Sequence, residues 1–287
     1  MQFKRYTNED YNAVCDFLIA LCSRDGRRLN WNWGRFEWMV GHPEFDQSLA
    51  SSIGLWTEDG RVIGAAIYDM YFGEAFCGVL PEYEALHPEV LNYAYRALKD
   101  EAGLGIAICD EDWKQIAAAK AAGFVRAEQT ETLMTLALDR PRAAKLPAGL
   151  SFAELDPTKD AEALQWLFWQ GFDHGTDRTE FEHTEQVPAR PRPHFNRHLS
   201  VAAVNAAGEP VSCCCLWFRE GTDDAYVEPV CTIPSYRGKG AASAVIFEAL
   251  RRAEALGAKR ACVLSDMEFY KKLGFVPKWH YTFYWKA

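Results

Sequence analysis

Residues Ile233–Ala244 read IPSYRGKGAASA: a proline, two glycines alternating with two basic residues, then a run of small residues. The preceding stretch, Tyr226–Thr232, has the pattern of a strand. From Ala242 to Leu256, Val245, Ala249, Ala253 and Leu256 recur on one face of a helix, and Gly257 marks its end. Ala261–Leu264 begins a second strand. The unit is therefore strand, glycine-rich loop, helix, strand. In such a unit the N–H groups of the loop and first helical turn lack helical acceptors and point outward at the positive end of the helix dipole. The glycines let an oxyanion approach the backbone, and Arg237 and Lys239 add positive charge. In physical terms this is a seat for pyrophosphate.

Two phosphate-binding patterns do not fit. The loop lacks the G-x-x-x-x-G-K-[ST] spacing of a nucleoside-triphosphate loop. Gly238-x-Gly240-x-x-Ser243 approaches a dinucleotide fingerprint, and Asp266 ends the next strand where a ribose-binding acid would stand. But Pro234 and Arg237 separate the strand from the glycines, and only 50 residues run from Gly238 to the last residue, too few for a doubly wound sheet.

The chain is long enough for two domains, and the sequence repeats a plan. Asp139–Gly149, DRPRAAKLPAG, reads as a linker. Each side opens with a short strand and an acidic helix start, at Phe3 and Phe152. A hairpin follows, turning at Asp59-Gly60 and at Gly208-Glu209. Gly123-Phe124-Val125 and Gly274-Phe275-Val276 come near the ends. Phe3 and Phe152, Gly60 and Gly208, and Gly123 and Gly274 are 149, 148 and 151 residues apart. Three landmarks in register indicate a duplicated domain. Where the second half has its loop, the first has ALHPEVLNYAYRAL, Ala85–Leu98, with no glycine and with Pro88 in the way.

Arg237-x-x-Gly240-x-Ala242, following a strand and Pro234, resembles the Q/R-x-x-G-x-G/A signature of the GNAT superfamily of N-acetyltransferases. FYKKLGF, Phe269–Phe275, resembles its second signature, a tyrosine four residues before Gly-Phe. The resemblance is sharp over Val227–Phe275 and diffuse elsewhere. It implies an α/β fold of two tandem GNAT-like domains, residues 1–140 and 147–287, each a mixed, partly splayed β-sheet flanked by helices. It also implies a cofactor, acetyl-CoA, held through its pantetheine arm by Val230, Cys231 and Thr232. The pyrophosphate falls to the loop Arg237, Gly238, Lys239, Gly240, Ala241, Ala242 and Ser243. The first half is the degenerate copy. One departure concerns the asparagine that family members often carry after the next strand; here the segment is Ser265-Asp266-Met267.

Acetyl transfer to an amine needs a neutral nucleophile. An alkylammonium of pKa ~10.4 is neutral in about one molecule in 2,500 at pH 7, so a base is required. The departing thiolate, pKa ~8.5, needs a proton, which a tyrosine of pKa ~10 can supply. By its place in the motif Tyr270 is the candidate acid; Ala119 stands at the equivalent place in the first half. Glu228 is the candidate base, two residues before Val230 and on the same strand face by period-two alternation. Phe172–His198 covers the acceptor side in the resembling family. Asp173, Asp177, Glu180, Glu182 and Glu185 make its first part acidic, suited to a cationic amine.

Composition narrows the partners. A formal net charge of −9 argues against nucleic acid as the main partner. No apolar run approaches the ~18 residues of a membrane span. The polar, charged start, MQFKRYTNEDYN, carries no signal-peptide pattern. Nine cysteines in odd number and without C-x-x-C spacing suggest reduced thiols in a cytoplasmic protein. His194 and His198 have metal-like spacing, but Pro191 and Pro193 break the helix such ligands need, so no metal is expected. The last strand, KWHYTFYWKA, alternates Trp279, Tyr281, Phe283 and Trp285 as a core strand does. The expected function is acetyl-CoA-dependent N-acetylation of a small amine or amino-acid-like acceptor. A non-catalytic acyl-CoA sensor and a protein N-acetyltransferase are the alternatives.

Overall fold

Asp59 and Gly60 take φ of 50° and 77°, the left-handed pair that a two-residue hairpin turn requires, and the strands on either side pair as the sequence implies. The computed structural model describes residues 1–42, 44–157, 159–183 and 193–287. The first half runs β1 (Gln2–Arg5), α1 (Tyr11–Arg24), α2 (Trp33–Gly41), β2 (Gly54–Glu58), β3 (Arg61–Asp69), β4 (Tyr71–Val79), α3 (His87–Leu98), β5 (Leu104–Cys109), α4 (Trp113–Ala121) and β6 (Val125–Ala137). The second runs β7 (Ser151–Glu154), α5 (Ala161–Gly171), α6 (Arg178–His183), β8 (Ser200–Val204), β9 (Pro210–Trp217) and β10 (Asp224–Thr232), then α7 (Ala241–Ala255), β11 (Arg260–Leu264), α8 (Glu268–Lys272) and β12 (Val276–Lys286). Residues 138–150 hold neither helix nor strand, as the linker composition suggests.

The duplication is visible bond by bond. Leu80 N–H donates to Ile63 O at 2.9 Å, and Ile233 N–H to Val211 O at 3.0 Å. A 3-10 turn then starts at Pro81 in one half and at Pro234 in the other. Near the ends, Phe124 N–H donates to Ala119 O at 3.0 Å, and Phe275 N–H to Tyr270 O at 3.1 Å.

Compactness divides the chain into residues 1–134 with 264–287, and residues 135–263. This differs from the boundaries 1–140 and 147–287, and the reason is the last strand. β12 pairs antiparallel with β5, from Tyr281 opposite Cys109 to Lys286 opposite Leu104. Gly105 stands opposite Trp285; a Cβ there would lie 2.6 Å from the indole, so the missing side chain admits the ring. Tyr281, Phe283 and Tyr284 are buried, while Trp279 and Trp285 are half-buried.

In the first unit the strand order is β1-β2-β3-β4-β5-β12-β6; β1 to β4 pair antiparallel, as do β5 and β12, and β4 meets β5 in parallel at Glu74 and Gly105. In the second the order is β11-β10-β9-β8-β7. There β10 and β11 pair in parallel over Asp224–Tyr226 and then diverge, which gives the mixed, splayed sheet. One face of this sheet packs Leu155, Leu164, Leu167, Ala202, Cys213 and Cys231 into a core with α5. Against α7 the small residues Ala244, Ala249 and Ala253 let helix and sheet approach closely, with Val245 and Leu250 also buried. All nine cysteines are free thiols and buried. No helix among the described residues is long and apolar enough to cross a membrane.

Candidate active site

The loop that opened the sequence joins β10 to α7, and the strand before it forms a backbone rail. Ile233 turns its N–H toward β9. Alternation then directs Cys231 toward β9, while Val230 and Thr232 present their N–H and C=O groups on the opposite edge, where β11 has diverged. Ser212 Oγ accompanies the rail, 3.0 Å from Cys231 O and 2.8 Å from Thr232 Oγ1. Cys231 itself points into the core, its Sγ 3.8 Å from that of Cys213. The Cys213 thiol is pushed well above its ordinary pKa by its hydrogen bond with Cys231 and by burial. Of the three rail residues, Cys231 thus contributes packing.

Gly238 and Gly240 adopt φ of 71° and 89°, left-handed conformations that favour glycine. A Cβ on either would meet nothing within 4 Å, so the backbone there is open to an approaching group. Gly240 is the N-cap of α7, and no side chain caps the helix. Ala244 N–H is the first to find a helical acceptor, Gly240 O at 3.1 Å. The N–H groups of Ala241, Ala242 and Ser243 precede it, at the positive end of a 15-residue helix.

Both loop cations have protein partners. Lys239 Nζ donates to Ser235 O at 2.8 Å and lies 5.2 Å from the centre of the Tyr236 ring. Arg237 uses all three guanidinium nitrogens: Nε donates to Thr232 O at 3.0 Å and Nη2 to Gly171 O at 2.9 Å, and Nη1 lies 2.9 Å from Asp173 Oδ1.

Glu228 lies on β10, half-buried, but the alternation that put it on the Val230 face is interrupted. Val227 opposes Leu216 and Val230 opposes Cys214, so Glu228 and Pro229 together oppose Cys215. This is a β-bulge, which resets the faces. The Glu228 carbonyl accepts from Trp217 Nε1 at 2.8 Å. Tyr270 falls in α8 and in the other compact unit. It is buried, with ring centres 5.1 Å from Phe269 and 5.5 Å from Phe275.

The acidic segment is largely spent on its own structure. Asp173 pairs with Arg237, Asp177 Oδ1 caps α6 by accepting from Thr179 N–H at 2.8 Å, and Glu182 pairs with Arg178 at 3.0 Å. Glu185 and Pro191 lie outside the described residues. His198 Nδ1 is 2.9 Å from Glu154 Oε1.

The first half departs at the corresponding points. Its rail residue Cys77 has its carbonyl taken by Gln115 Nε2 at 2.6 Å. Gln115 is held in turn by buried Arg28, which also pairs with Asp112. Counting from the two prolines, Glu84 stands where Arg237 stands. Pro88 removes one N–H from the first turn of α3, and buried Leu86 occupies its N-cap. Leu80-Pro81-Glu82-Tyr83 against Ile233-Pro234-Ser235-Tyr236 is the sequence signal that aligns these positions.

Residues 161–275 match the family described as the acetyltransferase (GNAT) family. Among solved structures, a GCN5-related N-acetyltransferase from Sphaerobacter thermophilus is 16% identical with a TM-score of 0.59, covering 99% of this chain and 95% of that one. A tandem GNAT protein from the clavulanic acid biosynthesis pathway is 18% identical with a TM-score of 0.60, covering 99% and 98%. Saccharomyces cerevisiae N-myristoyltransferase is 14% identical with a TM-score of 0.57, covering 100% and 79%. No curated protein matches the sequence. The fold is the tandem GNAT fold. The match over residues 161–275 likens the second half to GNAT-family acetyltransferases, a likeness that implies acyl-CoA-dependent acetyl transfer.

Proposed function

We propose that the second half is an acetyl-CoA-dependent N-acetyltransferase whose acceptor is a small amine or an amino-acid-like molecule. The observation that carries this reading is the pairing of a backbone rail, Val230 and the Thr232 N–H, with an uncapped helix start, Ala241–Ser243, over two glycines with open space above them; the Thr232 carbonyl is held by Arg237. The first half lacks both. Acetyl-CoA supplies the activated acyl group when bound. The rail suits an extended amide-bearing arm, because antiparallel pairing leaves Val230 and Thr232 N–H directed outward. The N–H groups of Ala241, Ala242 and Ser243 suit a pyrophosphate. In this reading Glu228 takes the proton from the incoming ammonium, and Tyr270 gives one to the departing thiolate.

The test is a library of amines, amino acids and short peptides incubated with acetyl-CoA, with free thiol as the readout. The reading expects thiol release with small amines and less with peptide amino termini. Tight binding of acetyl-CoA without any acceptor-dependent thiol release would favour the sensor instead.

A further inference from the structure

Arg237 is the residue that the signature assigns to phosphate, yet its side chain turns the other way. Its three nitrogens reach Thr232 O on the last residue of β10, Gly171 O on the last residue of α5, and the Asp173 carboxylate just beyond. The backbone beneath is fitted to that arrangement. A Cβ at Gly171 would lie 2.7 Å from Cys231 Sγ and 3.6 Å from Thr232 N, so the helix end rests directly on the rail. Asp173 has φ of 64°, unusual for a residue with a side chain, and its partner in that conformation is Arg237. Phe172 N–H and Asp173 N–H bond back to Phe168 O and Gln170 O, which ends the helix there.

We propose that Arg237 is a positioning residue: it clamps the end of α5 onto the acyl-donor strand and fixes residues 171–173, which lead into the acceptor-side segment. The charge partners of a bound pyrophosphate are then the N–H groups at the start of α7, with Lys239 beside them. The proposal rests on the reading of the second half as an acyltransferase only in calling that segment acceptor-side. The clamp itself is geometric. A guanidinium suits it because its rigid, planar fork spreads donors over three nitrogens, one for each of the two carbonyls and the carboxylate, whereas a lysine offers all its donors from a single point.

The test compares wild type with Arg237→Gln and Asp173→Asn. CoA binding is measured by calorimetry at low and high salt, and amide hydrogen exchange is followed over residues 171–183. The clamp predicts that Arg237→Gln leaves the salt dependence of CoA binding as in wild type and speeds exchange at 171–183, with Asp173→Asn doing so more weakly. Once an acceptor is known, its KM should rise by about tenfold while the KM for acetyl-CoA stays nearly constant. A salt dependence reduced by one charge, with exchange at 171–183 unchanged, would make Arg237 a phosphate ligand and overturn the clamp. If Arg237→Gln does not fold, Asp173→Asn decides by the same exchange measurement: unchanged exchange overturns the clamp. If wild type binds no CoA, the acyltransferase reading fails, while the exchange comparison still judges the clamp.

Discussion

Gln115 Nε2 donates to the carbonyl of Cys77 at 2.6 Å, at the rail position that Val230 occupies in the second half. A side-chain amide thus fills in one copy the hydrogen-bonding position that is open in the other. With Glu84 in place of an arginine and Pro88 in the first turn of α3, the first half offers a bound phosphate neither charge nor a full set of donors. One CoA should therefore bind per chain. Titration calorimetry checks this, and two equivalent sites would contradict it.

Gly240→Asp should abolish CoA binding in a folded protein. An aspartate at an N-cap accepts from the same N–H groups that a phosphate would use, and its charge repels the ligand. The helix gains a cap, which offsets the cost of φ at 89° for a residue with a side chain. Thermal melting and calorimetry on the same sample separate the two effects. Unchanged affinity in a folded variant would mean that the loop is only a turn.

Tyr270→Phe tests the proposed acid. The ring, with its contacts to Phe269 and Phe275, is kept. Acid–base groups typically contribute ~10²- to 10⁴-fold, so turnover should fall by that order while acetyl-CoA affinity and melting temperature stay near wild type. Full turnover in the variant would remove Tyr270 from the mechanism.

Stability should depend on pH through His87. Burial, with the Arg28 charge adding to it, lowers this imidazole from its ordinary 6.5 to about 4. The unfolded chain takes up the proton below about pH 6.5, and the folded chain only near 4. The neutral ring's full contribution is present above 6.5 and is lost as the pH falls toward 4. Melting curves across that interval should show the decline in wild type and a shallower one in His87→Gln. Identical slopes would assign the acid sensitivity elsewhere.

Much of the site could be read from the chain because glycine and proline punctuate it. The strand, loop and helix around Gly240 lie within a residue or two of the expected bounds, since φ above zero, a missing N–H and helical periodicity are local properties. Three features were not local. The bulge at Glu228-Pro229 breaks alternation, and Pro229, which cannot donate to a ladder, was its only sign. The acidic residues after α5 looked like an electrostatic lure, but Asp177 and Glu182 are spent on neighbours two and four residues away, and Asp173 on Arg237, a partner that sequence spacing does not reveal. The partner of β12 was equally hidden, because alternating aromatic residues suit any sheet that will cover them.

That last strand also sets an order of events. The sheet of the first unit needs residues 276–286, which follow the whole of the second unit in the chain. Until they have been made, β5 lacks its β12 neighbour, so the first unit's sheet is completed only after residues 135–263 have been synthesised. The first copy is consequently tied to the second: cut off at residue 140, it would leave β5 without the strand that completes its sheet.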